Sequence, residues 1–196
     1  HHNGSISAYP PVVEAIKESE IILIGPGDLF TSVIASLIIP GIKEAIQDTN
    51  ARIFYILNIM TKFGETHNFK GIDFVQKIEG YLGRQVNGII CNDRKPDNRL
   101  LEKYQAEKSD FVEIEQLKKL MNKRLIYAGD LLDSSADIVR HDSNKLASMV
   151  QSIIFKEHFF EPKKLTNDPI LMQFVLKDSV KMPIRYKSVK ASQRIA

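Results

Sequence analysis

Two glycines and two hydroxyl side chains follow the first apolar run of the chain. The stretch IILIGPGDLFTSVIAS leads from Ile21–Ile24 into Gly25-Pro26-Gly27, and Thr31 and Ser32 come shortly after. Glycine allows a backbone to come close to a bound group, and the N–H groups at the start of a helix favour anions. The pattern indicates a strand, a loop and a helix start that could hold a phosphate. Because the lysine of a P-loop and the spacing of GxGxxG are both missing, a tight turn with Thr31 or Ser32 as N-cap explains it equally well.

A second group of polar residues follows the apolar run RIFYILNI. Asn58 and Thr61 stand at its end, and Glu65 and Thr66 come next. Polar residues so close behind a buried strand are typical of a crevice or its rim. Glu65 could accept hydrogen bonds from a sugar or a base. It could also bind a metal with His67, but two ligands make a poor site, so no metal site is predicted. A polar loop with Thr66 as a cap remains the alternative.

Two further loops carry charged residues. Asn92 ends the apolar run GIICN, and Arg94 and Lys95 after it could neutralise phosphate, although a solvated turn is the favoured interpretation. Arg140-His141-Asp142 precedes an amphipathic stretch, where Arg140 could reach a ligand. His141 could act as a base, but a structural histidine is favoured because no nucleophile is adjacent. The sequence shows no Ser-His-Asp arrangement, no zinc spacing and no Walker lysine, so catalytic residues stay unknown.

Alternating apolar runs and amphipathic stretches must position these loops. We predict strands at Ile21–Ile24, Arg52–Ile59, Val86–Cys91, Phe111–Ile114 and Leu125–Ala128, and helices at 11–18, 31–39, 42–47, 73–82, 98–106, 117–121 and 144–155. This alternation predicts an α/β fold of three layers, with a mostly parallel sheet and helices on both faces. In such sheets the ligand crevice lies at the carboxyl ends of the strands, so the four loops should converge there.

The composition is that of a globular domain. Of 196 residues, 43% are hydrophobic and 26% are charged. No apolar run approaches the ~20 residues of a membrane span, no secretory signal is visible, and the single Cys91 excludes an internal disulfide. A cytoplasmic location is therefore the default expectation.

The small net charge of +3 conceals a basic end of the chain. Residues 162–196 hold eight Lys or Arg against two Asp. A basic segment can bind nucleic acid, but this one has few of the aromatic residues that stack on single strands. We therefore interpret residues 161–196 as a basic C-terminal extension, solvated or docked, beside a domain at residues 10–160.

The loops together resemble a known family. GPGDLFTSVIASLIIPGIKEAI is similar to the GPGSLYTSI…PGIxEAI block of the YvcK-like bacterial gluconeogenesis-factor proteins. NIMTKFGETHNFKGIDFV is similar to their NxMTQPGET…DHV block, and VRHDSNKLA to an RHDxxKLA block. These proteins belong with the CofD-like family, which also includes 2-phospho-L-lactate transferase. The resemblance covers about residues 11–155, and its second block favours the bacterial branch.

The resemblance implies a CofD-like, Rossmann-like fold that binds a nucleotide. The Gly-rich GGGTG-type opening of the family is not found in the sequence, so residues 10–160 are expected to be the C-terminal portion of the family fold. The chain also differs from the family blocks at Asp28 (usually Ser), at Lys62-Phe63 (usually Gln-Pro) and at Phe74 (usually His). The last difference argues against transferase chemistry.

The bacterial branch is associated with UDP-sugar binding, and with cell shape and peptidoglycan supply during gluconeogenic growth. The favoured hypothesis is therefore a non-catalytic nucleotide-sugar-binding regulator. The alternative is a CofD-type transferase, which would move a phospholactyl group from a guanosine diphosphate donor and would need Mg²⁺. The identity of the ligand and homo-oligomer formation stay open. The residues expected to bind the ligand are Gly25, Pro26, Gly27, Thr31 and Ser32 at the phosphate, Asn58, Thr61, Glu65 and Thr66 on the opposite wall, and Asn92 on the floor.

Overall fold

A sheet of four parallel strands forms the centre of the protein. The computed structural model describes residues 6–121, 123–135 and 137–159. The strands are β1 Ile21–Ile24, β2 Arg52–Ile56, β3 Gly88–Asn92 and β4 Leu125–Gly129, and they lie in the order β1-β2-β3-β4. Ile24 pairs with Tyr55, Tyr55 with Ile89, and Cys91 with Ala128. This register places the carboxyl ends of all four strands at one edge of the sheet.

Helices fill the connections between the strands. They are α1 Pro10–Glu18, a π-helix Leu29–Ile34 that continues into α2 Ala35–Leu37, α3 Ile42–Asp48, α4 Gly71–Leu82, α5 Asn98–Ala106, a 3₁₀ helix Glu115–Leu120 and α6 Ser143–Phe159. The predicted strand at Phe111–Ile114 is wrong, since Phe111 makes only an isolated antiparallel bridge with Met60. The basic extension predicted at 161–196 lies outside the described residues, so its interpretation stays a prediction.

Two hydrophobic clusters lie on opposite faces of the sheet. The larger one packs α4, through Phe74 and Ile78, and the π-helix against Ile53 and Tyr55 of β2. The smaller one joins strand residues to α6, and its members are Phe54, Ile56, Ile90, Tyr127, Leu131, Met149 and Ile153. The predicted α/β fold, a parallel sheet with helices on both faces, is thus confirmed. The large apolar area that these clusters remove from water drives the assembly of the three layers.

Local signals fix some of the helix ends. Gly83 ends α4 with a φ of 70°, in the left-handed conformation that glycine adopts readily. Asp142 caps α6, because its Oδ1 accepts hydrogen bonds from the N–H groups of Asn144 and Lys145. The predicted N-cap at Thr31 or Ser32 is wrong, since the helix begins at Leu29 and no side chain caps it.

Burial explains this earlier start. Leu29 is 1% exposed, and Val33, Ile34 and Leu37 from the next turns are buried beside it. Starting the helix at Leu29 lets its side chain join this apolar face. The apolar face therefore decides the start of the helix and overrides the hydroxyl signal of Thr31 and Ser32.

The amino end of the sheet holds a network of paired charges. The guanidinium of Arg124, whose side chain is 5% exposed, donates to both carboxylate oxygens of Glu79 at 2.6 Å. Glu79 Oε1 also accepts the N–H of Val86 at 3.0 Å. Arg84 donates to three main-chain carbonyls before β2, at 2.9, 2.8 and 3.4 Å. These side chains fasten the loops that enter β2, β3 and β4 to one another.

Within the described ranges, no single helix has both the length and the apolar composition that crossing a membrane requires. Only the pair Leu29–Leu37 and Ile42–Asp48 meets those limits when taken together, and it is bent by 71° at its break.

Candidate functional site

A cavity of about 550 Å³ lies at the carboxyl ends of the strands. This volume falls within the range of small-molecule sites. The cavity is lined by residues 26–29 after β1, 58–62 with 65 and 66 after β2, Tyr104, Glu107 and Ser109 around the end of α5, and 139–141, 143 and 146 after β4. Gly27 and Thr66 therefore belong to one site, as expected if the loops converge.

The glycine turn after β1 is shaped by close contacts. Gly25 has a φ of 88°, and a Cβ there would lie 3.1 Å from the main-chain oxygen of Ile56, so glycine is required. The Gly25–Pro26 peptide is cis. At Gly27 a Cβ would lie 3.3 Å from Cβ of Ser32, which means that this glycine lets the turn pack on the following helix.

Only part of the predicted phosphate loop reaches the cavity. Pro26 and Gly27 line it, whereas Gly25 lies outside the lining. Thr31 and Ser32 are exposed and also lie outside the lining. The loop therefore faces the cavity with its turn and with the start of the π-helix, and the two predicted hydroxyls point elsewhere.

Three predicted side chains of the second loop line the cavity and also hold the backbone in place. Asn58 donates through Nδ2 to the main-chain oxygen of Gly27 at 2.9 Å, which ties the two loops together. Thr61 is 4% exposed and Thr66 is 3% exposed. Their hydroxyl oxygens accept the N–H groups of Asp110 and Lys62, at 2.8 and 2.9 Å. These residues are therefore a frame for the cavity, although each threonine hydroxyl still has its own proton to donate.

Lys62 joins two carboxylates at the cavity. Its Nζ lies 2.6 Å from Oδ2 of Asp28 and 2.7 Å from Oε1 of Glu65. The hydrogen bonds that Lys62 donates to Asp28 and Glu65 favour its ammonium form and raise the pKa of Lys62. Asp28 and Lys62 are two of the positions that were expected to differ from the family blocks, and the ion pair brings their opposite charges together.

Arg140 enters the cavity after β4. Its Nε donates to Oδ2 of Asp133 at 2.9 Å, and its side chain is 61% exposed. Hydrogen bonds from the side chain and backbone of Ser135, and then from Arg140, lower the pKa of Asp133 to about 2. Asp133 is therefore ionised at neutral pH and positions a guanidinium whose remaining N–H groups are available at the rim of the cavity.

His141 lies next to Arg140 and is half-buried. Burial lowers the pKa of its imidazole, and a hydrogen bond to the Leu57 main chain partly opposes this effect. Its Nε2 is buried and has no hydrogen-bond partner among the described residues, and the same holds for Oε2 of Glu65. The cavity thus contains two buried polar atoms that the surrounding protein does not satisfy.

Asn92, predicted as the floor, is not among the lining residues. It is 4% exposed, and its amide is used inside the protein. Nδ2 donates to the main-chain oxygen of Arg94 at 2.6 Å, while Oδ1 accepts the N–H of Leu131 at 3.0 Å. Asn92 therefore joins the ends of β3 and β4.

Three lining residues near the end of α5 were not predicted from the sequence. Tyr104, Glu107 and Ser109 reach the cavity because Thr61 exchanges backbone and side-chain hydrogen bonds with Asp110. The hydroxyl of Tyr104 also accepts the N–H of Val139 at 3.1 Å. Pairing between distant loops leaves no local pattern in the sequence. The apolar run at Phe111 was the nearest sequence feature that could have indicated this pairing.

No group of three or more His, Cys, Asp or Glu side chains that could hold a metal ion occurs in the part of the chain that the structure describes.

Comparison with known proteins identifies relatives of this chain. Residues 2–131 match the family model described as 2-phospho-L-lactate transferase CofD. A Thermotoga maritima protein named "Putative gluconeogenesis factor" is 41% identical over 152 residues, which cover 76% of this chain and 48% of that protein. An Aquifex aeolicus protein of the same name is 34% identical over 146 residues, covering 74% and 44%. The chain thus spans about half the length of these curated relatives.

A solved structure shares the fold. It is a Bacillus halodurans protein described as a member of the UPF0052 family, with 31% sequence identity and a TM-score of 0.69. The match covers 74% of this chain and 48% of that one. The family match extends over all four strands and most of the cavity loops, and it agrees with the parallel sheet and its helical layers. The chain therefore belongs to the CofD family.

Proposed function

We propose that the chain binds a nucleotide-sugar of the UDP-sugar type in this cavity. The main support for this proposal is the cavity of about 550 Å³, at which loops from three parallel strands meet. Ligands of open α/β sheets bind at this edge. As a member of a family with gluconeogenesis-factor relatives, the chain would act as a cytoplasmic, non-catalytic regulator of peptidoglycan supply and cell shape under gluconeogenic growth.

The phosphates of the ligand would lie between the helix start and Arg140. The N–H groups of Ser32 and Val33 both bind the main-chain oxygen of Asp28, so the N–H groups before them belong to the unpaired first turn of a helix. Asp28 and Leu29 of this turn line the cavity with Pro26 and Gly27. Arg140 supplies a cation with several donors for phosphate oxygens. Thr31 and Ser32, which lie outside the lining, are not part of this proposal.

In this proposal the carboxylates of Asp28 and Glu65 beside the turn do not prevent phosphate binding. Lys62 contacts both Asp28 and Glu65. Its positive charge offsets one of these two negative charges, Arg140 adds a second cation, and Glu107 contributes a third carboxylate to the lining. The local field then depends on Lys62 and Arg140 keeping their places.

Calorimetric titration of the chain with UDP-glucose and UDP-N-acetylglucosamine tests the proposal. We expect saturable binding, and Arg140→Gln should weaken it roughly tenfold to a hundredfold, because a hydrogen bond to a charged group contributes about 1.5–3 kcal/mol. The matched control is Lys77→Gln, an exposed charge on α4 far from the lining. Failure of the unaltered chain to bind either compound, or equal affinity in both variants, would contradict the proposal.

A CofD-type transferase is the second candidate, because the matching family model carries that description. Phe74 argues against it: this residue replaces a histidine of the family block, is 0% exposed, and packs edge to face on Phe69 at 5.5 Å, in the larger core cluster. Incubation with Mg²⁺, a guanosine diphosphate-linked phospholactyl donor and a deazaflavin acceptor tests this candidate. Formation of the phospholactyl product would support the transferase and would contradict the proposal of a non-catalytic regulator.

A further inference from the structure

Two buried atoms in the cavity lack partners among the described residues. They are Oε2 of Glu65 and Nε2 of His141, and both residues line the cavity. Buried polar atoms in folded proteins are nearly always hydrogen-bonded, and an unsatisfied one destabilises the protein. A ligand that supplies donors at these two places would remove that cost.

Glu65 cannot turn its second oxygen away without losing an ion pair. Its side chain is 18% exposed, and Oε1 lies 2.7 Å from Nζ of Lys62. Lys62 is itself held by Asp28 at 2.6 Å. The carboxylate is thus anchored through one oxygen, and the other oxygen is a buried acceptor on a residue that lines the cavity.

His141 presents an acceptor as well. The ring hydrogen-bonds to the Leu57 main chain, and since Nε2 has no partner, that bond is made by Nδ1. Burial lowers the pKa of the imidazole, so the ring is neutral at pH 7. A neutral imidazole that donates from Nδ1 carries a lone pair on Nε2. The cavity therefore offers two acceptors of different kinds.

We infer that Glu65 Oε2 and His141 Nε2 form an acceptor pair for sugar hydroxyl groups of the ligand. The inference rests on the proposed function and names the part of the ligand that each atom receives. Phosphate oxygens bring no protons at pH 7 and would be repelled by a carboxylate, so the phosphates lie elsewhere in the cavity. A uracil ring has a single N–H donor, which cannot satisfy both atoms. Sugars carry several hydroxyl donors, either on the ribose or on the attached hexose.

Two variants remove the acceptors with little change in shape. Glu65→Gln replaces the carboxylate by an amide of the same size, which can keep an oxygen towards Lys62 and then presents an NH₂ group to the cavity. His141→Asn keeps a side-chain N–H close to the position of Nδ1, for Leu57, and lacks an atom at the position of Nε2. His141→Gln is the complementary variant, because its amide reaches the position of Nε2. Glu102→Gln, an exposed change on α5, is the control.

Calorimetric titration with UDP-glucose, UDP and 2′,3′-dideoxy-UDP tests the pair. We expect Glu65→Gln to weaken UDP-glucose binding roughly tenfold to a hundredfold, and His141→Asn roughly threefold to tenfold. His141→Gln should recover part of the loss, and Glu102→Gln should change nothing. If the hexose is the source of the hydroxyls, the variants bind UDP as the unaltered chain does. If the ribose is the source, the variants bind UDP more weakly, whereas their affinity for 2′,3′-dideoxy-UDP is unchanged. Either pattern supports the acceptor pair.

Two other outcomes would overturn the inference while leaving the proposed function in place. They are an equal loss with all three compounds, which would assign the atoms to the base or the phosphates, and unchanged affinities in folded variants. Melting curves establish that the variants are folded. If the unaltered chain binds none of the three compounds, the proposed function and the acceptor pair both fail.

Discussion

The two ends of the sheet differ in how completely their buried polar and charged groups are paired. At the amino end, Arg124 and Glu79 make a two-bond ion pair, and Glu79 also accepts a main-chain N–H. At the carboxyl end, Glu65 has one oxygen paired, and Nε2 of His141 meets no donor in the described residues. The closed network at the amino end stabilises the fold, whereas the unsatisfied atoms at the carboxyl end are those that we propose for a ligand. Substitutions at the two ends should therefore change different quantities.

The largest effect is expected from breaking the closed network. Glu79→Ala leaves the guanidinium of Arg124 buried without its partner, and loss of one member of a buried ion pair costs about 3–5 kcal/mol. We expect the free energy of unfolding in urea to fall by that amount. Affinity for a UDP-sugar should stay within twofold, because Glu79 lies at the far end of the sheet. Glu102→Ala on the surface is the control, and a large change in affinity with Glu79→Ala would end the contrast between the two ends.

Asn58→Ala should give an intermediate effect and should affect both quantities. The amide of Asn58 binds the Gly27 carbonyl and accepts the hydroxyl of Tyr55, so its loss leaves two polar groups without a partner. We expect the free energy of unfolding to fall by about 1–3 kcal/mol and nucleotide affinity to fall as well, since the glycine turn is no longer tied to β2. Urea denaturation and calorimetry measure the two changes. Unaltered affinity would show that Asn58, like the residues at the amino end, stabilises the fold without contributing to ligand binding.

The smallest effect is a pH dependence at His141. The folded-state pKa lies below the ordinary value of 6.5, so the folded protein resists a proton that the unfolded chain accepts. The stability contributed by the neutral ring is complete above pH 6.5 and is lost as the pH falls below that value, with a slope of at most about 1.4 kcal/mol per pH unit.

Unfolding in urea between pH 7.5 and pH 5, for the unaltered chain and for His141→Asn, measures this slope. The variant should be less sensitive to pH over the interval. Equal slopes in the two proteins would mean that the ring has the same pKa in the folded and the unfolded chain, and that burial does not hold it neutral.

The sequence was sufficient to predict the frame of the fold. Runs such as IILI and RIFYI are apolar on both faces, which is typical of a parallel strand covered from both sides. The bounds of α5 agree with the prediction because Asp97 caps it through the N–H of Leu100. Glycine at position 83 marks the end of α4 for the same kind of local reason.

The site was harder to predict because its residues depend on distant contacts. Asn92 has the residue type and position of a ligand-binding side chain, yet its amide is used by Arg94 and Leu131. Thr31 and Ser32 have the chemistry of a phosphate loop, but the burial of Leu29 turns them outwards. Tyr104 reaches the cavity because two distant loops pair with each other, and no residue spacing in the sequence predicts that pairing. Residue type indicates what a side chain can do, and packing between distant segments decides where it does it.

The strand order bears on how the protein forms during synthesis. Each strand pairs with the strand that follows it in the chain, so an emerging strand finds its neighbour already made, and no later segment of the described sheet has to be inserted between two earlier ones. Domains fold as they leave the ribosome, at about 5–20 residues per second. The sheet can therefore grow by addition at one edge, from β1 to β4. On this route the cavity is the last feature to be completed, because Arg140 and His141 follow β4.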